Sequence, residues 1–352
     1  MRIGPIQVDA PLAQAALSGY SDSAMRRVAR RHGAAYTLHE VVLDRLVIEP
    51  GRLRDRILDL AEDDHPVGGQ IMGAEPEKFA QAATIMAEAG FDVIDVNFGC
   101  PVKKVLGRCR GGYLLSDPET AIDILRRVRD AVPAQKPVTV KMRRGMDDTS
   151  ESERNFFRIL DAAWDLGVSA ITVHGRTVKQ KYVGPSRWEF LARVKRIAGE
   201  RTILGSGDLF TPQDVVRMLA ETGVDGVTIA RGCIGNPWIF AESRALLRGE
   251  PLPEPPSVAA QGQTIRAHFE FAQQTHGEQA ASRVMRKFGI KYSELHPMGR
   301  AVRDAFIAVN TRDDWLRVLD EWYSPARDWP PGVRKTGPGE LVAAGASLCD
   351  AS

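Results

Sequence analysis

Short apolar runs alternate with longer amphipathic stretches from the N-terminus to about residue 247. Eight runs have the length and composition of buried strands: 12–17, 35–39, 67–71, 93–97, 138–142, 170–174, 202–204 and 226–230. Between most of them apolar residues recur at i, i+3 and i+4. In two of these stretches, 76–89 and 118–131, a proline also stands in the first turn, where a missing N–H costs nothing. Eight strands, each followed by a crossover, predict an α/β fold of the (β/α)8 TIM-barrel type over residues 1–248. An open doubly wound sheet is the rival, but no G-x-G-x-x-G follows the first strand. The opening segment 3–11, with Pro5 and Pro11, predicts a small hairpin closing the bottom of the barrel.

The pattern changes at GEPLPEPPS (249–257), a stiff Pro-rich linker. Residues 258–323 hold helical periods without strand signals and predict an all-helical domain. From 324 to 352 the chain is rich in Pro and Gly and predicts a loosely ordered tail. The acidic triplet Glu62-Asp63-Asp64 reads as a solvated loop.

Composition narrows the field without deciding it. Hydrophobic residues make up 43% and charged residues 26% of the 352, with a net charge of +2, so any nucleic-acid footprint must come from local clustering. Cys100, Cys109, Cys233 and Cys349 are widely spaced and form no C-x-x-C pair, which points to neither a disulfide framework, a zinc knuckle nor any other metal site. No apolar run reaches the roughly 18–20 residues of a membrane span, and the N-terminus lacks a signal-peptide core. A cytoplasmic protein is expected, with no stable protein partner implied and a monomer as the default.

In a barrel, chemistry gathers at the C-terminal ends of the strands. Unusual polar residues stand there: His39-Glu40, Asn97-Phe98-Gly99-Cys100-Pro101, Lys141-Met142-Arg143, His174-Gly175-Arg176-Thr177, Gly205-Ser206-Gly207-Asp208 and Ala230-Arg231-Gly232, with Gly69-Gln70 on the third strand. Lys141 lies inside the apolar run PVTVKM. Desolvating an ammonium is costly unless an anion pairs with it, so a bound anionic group is expected there. The glycine-bearing turns after the seventh and eighth strands offer backbone N–H groups to a phosphate, with Arg231 as a fixed charge. A phosphate at that side and a cation at the centre fit flavin mononucleotide (FMN), with Lys141 near N1 and O2 of the ring and Gln70 at its polar edge. A phosphosugar substrate would fit the same charges.

The stretches DVNFGCPVKKV (95–105), VKMRRG (140–145), VHGRT (173–177), IARGCIGNPWIF (229–240) and AALSGYSD (15–22) together resemble the tRNA-dihydrouridine synthase family, over about residues 12–323. The resemblance implies an FMN-binding barrel with a C-terminal helical domain that grips tRNA. It implies that NADPH reduces the flavin, that hydride goes to C6 of a flipped-out uracil, and that Cys100 protonates C5 from the opposite face. A thiol near its ordinary pKa of about 8.5 is mostly protonated at neutral pH, and Phe98 is expected to keep Cys100 so. His174 resembles the family's flavin-contacting histidine. Ala16, Leu17, Ser206, Gly207, Asp208, Ala230 and Arg231 fall at cofactor-binding positions. Ala16 and Leu17 replace the usual Pro-Met, Ser206 the usual Asn, and Ala230 the usual Gly. Asn97 is expected to fix the uracil through its amide, and Arg143 and Arg176 to bind its carbonyls or RNA phosphate.

Two basic segments point to RNA. Arg283, Arg286, Lys287, Lys291, Arg300 and Arg303 face only Glu294 between residues 281 and 303, with Phe288 and Tyr292 interleaved for stacking. Lys103, Lys104, Arg108 and Arg110 follow directly on Cys100. An FMN barrel reductase acting on a free pyrimidine, a synthase acting on rRNA, and a non-catalytic RNA-binding relative are the alternatives.

Overall fold

The computed structural model describes residues 1–337. Eight parallel strands make its barrel: β1 (Leu12–Gln14), β2 (Tyr36–Leu38), β3 (Val67–Met72), β4 (Val93–Phe98), β5 (Val138–Arg143), β6 (Ala170–His174), β7 (Ile203–Ser206) and β8 (Gly226–Ile229). Successive strands are neighbours, β2 joins β3 at Thr37–Val67, and β8 returns to β1 at Val227–Leu12, so the cylinder closes. Each predicted strand is present. β3 and β4 are buried at every position, as strands covered on both faces should be.

Two strand ends differ from expectation by more than one residue, for local reasons. β1 stops at Gln14, and the Leu17 carbonyl accepts the Tyr20 and Ser21 amides in a turn that carries the chain over the barrel mouth. β7 continues past Leu204 to Ser206. Gly205 permits this, because a Cβ there would lie 2.6 Å from the Met218 sulfur of the covering helix.

Around the cylinder run α1 (Ser23–Arg31), α2 (Pro76–Glu88), α3 (Pro118–Ala131), α4 (Ser150–Asp165), α5 (Trp188–Ala198), α6 (Pro212–Thr222) and α7 (Trp238–Leu247). Asp22, Asp117, Thr149 and Thr211 cap α1, α3, α4 and α6 by accepting backbone N–H groups that the first turn leaves unpaired. The N-terminal hairpin pairs Arg2–Ile3 with Ile6–Gln7, and Gly4 at its turn touches Pro137 and Ser169 just below β5 and β6.

The β2–β3 connection is more elaborate than its sequence suggested. Val42–Leu43 adds a short parallel strand to β3, followed by helices Asp44–Ile48 and Arg52–Leu58. The acidic triplet is not simply a solvated loop. Asp64 is fully buried and accepts from the guanidinium of Arg26, itself fully buried in α1. Either charge alone would be expensive there, so the pair has to form together.

The linker leads to α8 (Val258–His276), α9 (Glu278–Tyr292), α10 (Gly299–Ile307) and α11 (Arg312–Trp322). Their core stacks Trp315 on Phe269 at 5.0 Å, and Gly289 admits the ring of Phe306 against α9. α8 lies against α1 of the barrel: Arg27 donates to Gln274 at 2.7 Å and covers the Phe271 ring at 3.7 Å, and His276 pairs with Asp22 at 2.7 Å. Residues 324–337, expected to be loosely ordered, return to the body. Trp329 packs on His296, the Val333 amide donates to the Leu295 carbonyl, and Arg334 pairs with Glu242 of α7 at 2.6 Å. The remainder of the expected tail, with Cys349, lies outside the described residues. Among those residues no helix is long and apolar enough to cross a membrane.

Candidate active site

Strand register sets the site. Asn97 on β4 stands beside Lys141 on β5, and Arg143 on β5 stands beside His174 on β6, which is in turn level with Ser206 on β7. A cavity of about 140 Å³ opens over these ends. Ala16, Leu17, Asn97, Cys100, Lys141, Arg143, His174, Ser206, Gly207, Asp208, Ala230 and Arg231 line it, together with Tyr182 and Phe210. Five of the strands expected to carry the site therefore converge, joined by the first loop.

Lys141 is half-buried, and burial followed by the neighbouring charge of Arg143 brings its ammonium down to about 8. Among the described residues nothing accepts a hydrogen bond from its Nζ. His174 is buried, among the described residues neither ring nitrogen is hydrogen-bonded, and its Nε2 is out of reach of solvent. Burial, reinforced by Arg143, Lys141, Arg176 and Arg231, holds the ring well below the usual imidazole range, so it is neutral. Gly207, at φ +113°, passes so close to His174 that a Cβ would lie 2.6 Å from the ring. Arg231 lies over Tyr182 at 4.8 Å and Phe210 at 5.0 Å, with Asp208 at 3.8 Å. Among the described residues, a cation without an acceptor, an unpartnered buried imidazole and a cationic rim over glycine-bearing loops thus face one cavity, an arrangement able to receive a flat anionic group.

Cys100 sits on the seam between this cavity and a larger one of about 590 Å³. Gly111 and Gly112 close in behind it: a Cβ on Gly111 would lie 2.8 Å from the Cys100 Cβ, and the Gly112 amide donates to the Cys100 carbonyl. Phe98 is fully buried at the end of β4, and Lys141 and Arg143 are charges that sense the sulfur. The larger cavity is walled by Lys104, Arg108 and Arg110 after β4, by Arg45 and Arg56 from the β2–β3 connection, and by Thr275 and His276 of α8. Arg45 and Arg56 escaped the sequence reading, because helices of five and seven residues leave almost no periodicity to detect.

Several expected contacts are spent on the protein itself. The Asn97 Oδ1 accepts the Gly99 and Cys100 amides at 2.9 and 3.1 Å, so that oxygen holds the cysteine loop rather than a base. Gln70 does not line the cavity; its amide donates to Asp95 and accepts from Asn97, each at 2.6 Å. Arg176 does not line it either: it donates to the Gly184 carbonyl and pairs with Asp208 at 2.8 Å, bracing the loops after β6 and β7. Arg143 lines the cavity but is bonded to the carbonyls of Gly99, Thr177 and Lys181, and burial brings it down to about 10.

The basic segment of the helical domain is consumed in part. Phe288 and Tyr292 are core residues. Lys291 is buried against Glu294, and Lys287 donates to the Gly19 carbonyl while lying over the Tyr20 ring. Arg283, Arg300 and Arg303 are exposed and Arg286 is half-buried. Lys103 is exposed but stands outside the larger cavity's lining.

A family model, dihydrouridine synthase, matches residues 13–326. The chain belongs to the dihydrouridine synthase family. It is 35% identical over 329 residues to a probable tRNA-dihydrouridine synthase of Mycobacterium tuberculosis, covering 91% of this chain and 84% of that one. It is 34% identical to tRNA-dihydrouridine synthase B of Xanthomonas axonopodis, covering 92% and 96%. Among solved structures, an old yellow enzyme homologue from Zymomonas mobilis superposes with a TM-score of 0.53 at 13% identity, over 72% of this chain and 93% of that one. Morphinone reductase gives 0.54 at 12% identity, over 72% and 90%. These two likenesses establish the barrel fold.

Proposed function

We propose that the protein reduces uridine to 5,6-dihydrouridine in tRNA in the cytoplasm, with FMN as cofactor and NADPH as reductant. The observation that carries this reading is the position of Cys100 on the seam between a cavity suited to an anionic cofactor and a larger one with a cationic wall.

The residues present fit the flavin. Lys141, without an acceptor of its own, would face the electron-rich edge of the ring, and the neutral His174 offers a polar atom beside it. Gly207, Ser206, Ala230 and Arg231 would hold the phosphate, with Ala16 and Leu17 against the ring. When bound, FMN reduced by NADPH supplies the hydride for uracil C6. Cys100 gives the Sγ proton to C5, so the C5=C6 double bond takes up one hydride and one proton. The thiolate left behind recovers its proton from solvent. Lys141 and Arg143 stabilise the charge on sulfur during that interval. Lys104, Arg108, Arg110, Arg45 and Arg56 neutralise phosphates on either side of the extruded nucleotide, which keeps a polyanion rather than a free base in the larger cavity.

Incubating the purified, yellow protein with unmodified tRNA and NADPH should yield dihydrouridine by nucleoside mass spectrometry. Absence of dihydrouridine from every tRNA position, or equal reduction of free uracil without RNA, would overturn the reading. Dihydrouridine in rRNA alone would overturn the choice of substrate.

A further inference from the structure

A buried hydrogen-bond relay runs behind the cysteine loop. The Gly99 and Cys100 amides can only donate, so Asn97 must present Oδ1 to them and Nδ2 to its other side. That Nδ2 donates to Gln70 Oε1 at 2.6 Å, which turns the Gln70 Nε2 toward Asp95, 2.6 Å away. Asp95 also accepts from the Thr139 hydroxyl. Asp95, Asn97 and Gln70 are all buried. Each amide is thus oriented from both ends, and the direction of the relay is set by its terminus, a carboxylate that only accepts.

We propose that Asp95 is a positioning residue for Cys100: through Gln70 it fixes which way Asn97 points, and so holds the loop that carries the thiol. The inference rests on the catalytic reading of Cys100 for its consequence in turnover. Asparagine at position 95 would present a donor to Thr139 or to Gln70. In the second case the Gln70 amide reverses, its Nε2 meets the Nδ2 of Asn97, and Asn97 must reverse in turn. It would then set an N–H against those of Gly99 and Cys100. Moving the carboxylate one link along repairs every bond. In the pair Asp95→Asn with Gln70→Glu, position 95 accepts from Thr139 and donates to position 70, and position 70 still accepts from Asn97.

The test is amide hydrogen exchange of the 97–102 segment in the full-length protein, read beside kcat and KM for tRNA. D95N should exchange about tenfold faster there, the factor that one lost hydrogen bond corresponds to. Its kcat should fall by a similar factor, with KM within twofold. The D95N/Q70E double variant should restore both. Should D95N not fold, Q70E alone, with two carboxylates face to face, is the broken partner, and the double must exchange more slowly than it. D95N protected like the wild type, or a double variant that is as unprotected as the single or does not fold, overturns the proposal. Exchange needs no turnover, so it stands apart from the acid assignment, which normal activity of Cys100→Ala would remove by itself.

Discussion

The loop after β4 and the middle of the helical domain look alike as sequence, each a cluster of Lys and Arg expected to grip RNA. In the folded protein they differ. Lys104, Arg108 and Arg110 face the larger cavity, and among the described residues they form no ion pair. In the second cluster Lys291 neutralises Glu294, Lys287 joins α9 to the first barrel loop, and the interleaved aromatics are core, which leaves Arg283, Arg300 and Arg303 exposed and Arg286 half-buried. Charge on a helix that packs on two sides is recruited by the packing. Charge on a short loop at a barrel mouth has no such competitor and stays available to a ligand.

The largest effect expected belongs to the thiol between these regions. Cys100→Ala should keep its yellow colour and lose at least about 100-fold in uridine reduction, the lower range for a positioned acid. Normal turnover would remove Cys100 from the mechanism.

Replacing Lys104, Arg108 and Arg110 together with Ala should lower the slope of log affinity for tRNA against log salt by about three, roughly one per phosphate contact, at unchanged melting temperature. Lys291→Met should do the reverse: an unchanged slope and a stability loss of about 1–3 kcal/mol, because Glu294 loses a buried partner. An unchanged slope in the triple variant would erase the contrast between the two regions.

A further effect, spread over pH rather than tied to one substitution, comes from histidines buried in each region. Burial brings His39 at the barrel mouth down to about 3 and His268 in the helical core down to about 4. In the unfolded chain these rings take up protons near pH 6.5, whereas in the folded protein they do so only near their depressed values. The unfolded state therefore gains protons first as pH falls. Stability is complete above about pH 6.5 and declines toward pH 4, by up to about 1.4 kcal/mol per pH unit for each ring. Urea midpoints at pH 7 and 5 measure this, and a flat profile would contradict neutral buried rings.

The barrel was legible because parallel strands covered on both faces are short apolar runs, and eight of them close. Most of the site was legible because polar groups at strand ends are costly without a purpose: Cys100, Lys141, His174 and Arg231 all line the cavity. What one-dimensional reading missed was which side of a polar group is already used. Asn97, Gln70 and Arg176 are as polar as their neighbours, but Gln70 and Asp95, Asn97 and Gln70, and Arg176 and Asp208 meet only across strands and loops, where the barrel brings them together. Asp64 was misjudged for the same reason, its partner Arg26 lying 38 positions earlier in the chain. A local window cannot see such distant partners.

The return of residues 324–337 constrains how the helical domain can move. The linker and this returning segment run together: Arg334 donates to the Pro253 carbonyl as well as to Glu242, and Gly332 nestles against the Pro256 carbonyl. The domain thus leaves and rejoins the barrel along one narrow seam beside α7, while its far end leans on the first barrel loop through Lys287 and on the cap of α1 through His276. The linker and the returning segment thus act as a double seam, one covalent and one not, between the helical domain and α7. Removing the chain after residue 323 would take away the Arg334–Glu242 pair and leave the linker to hold that edge alone.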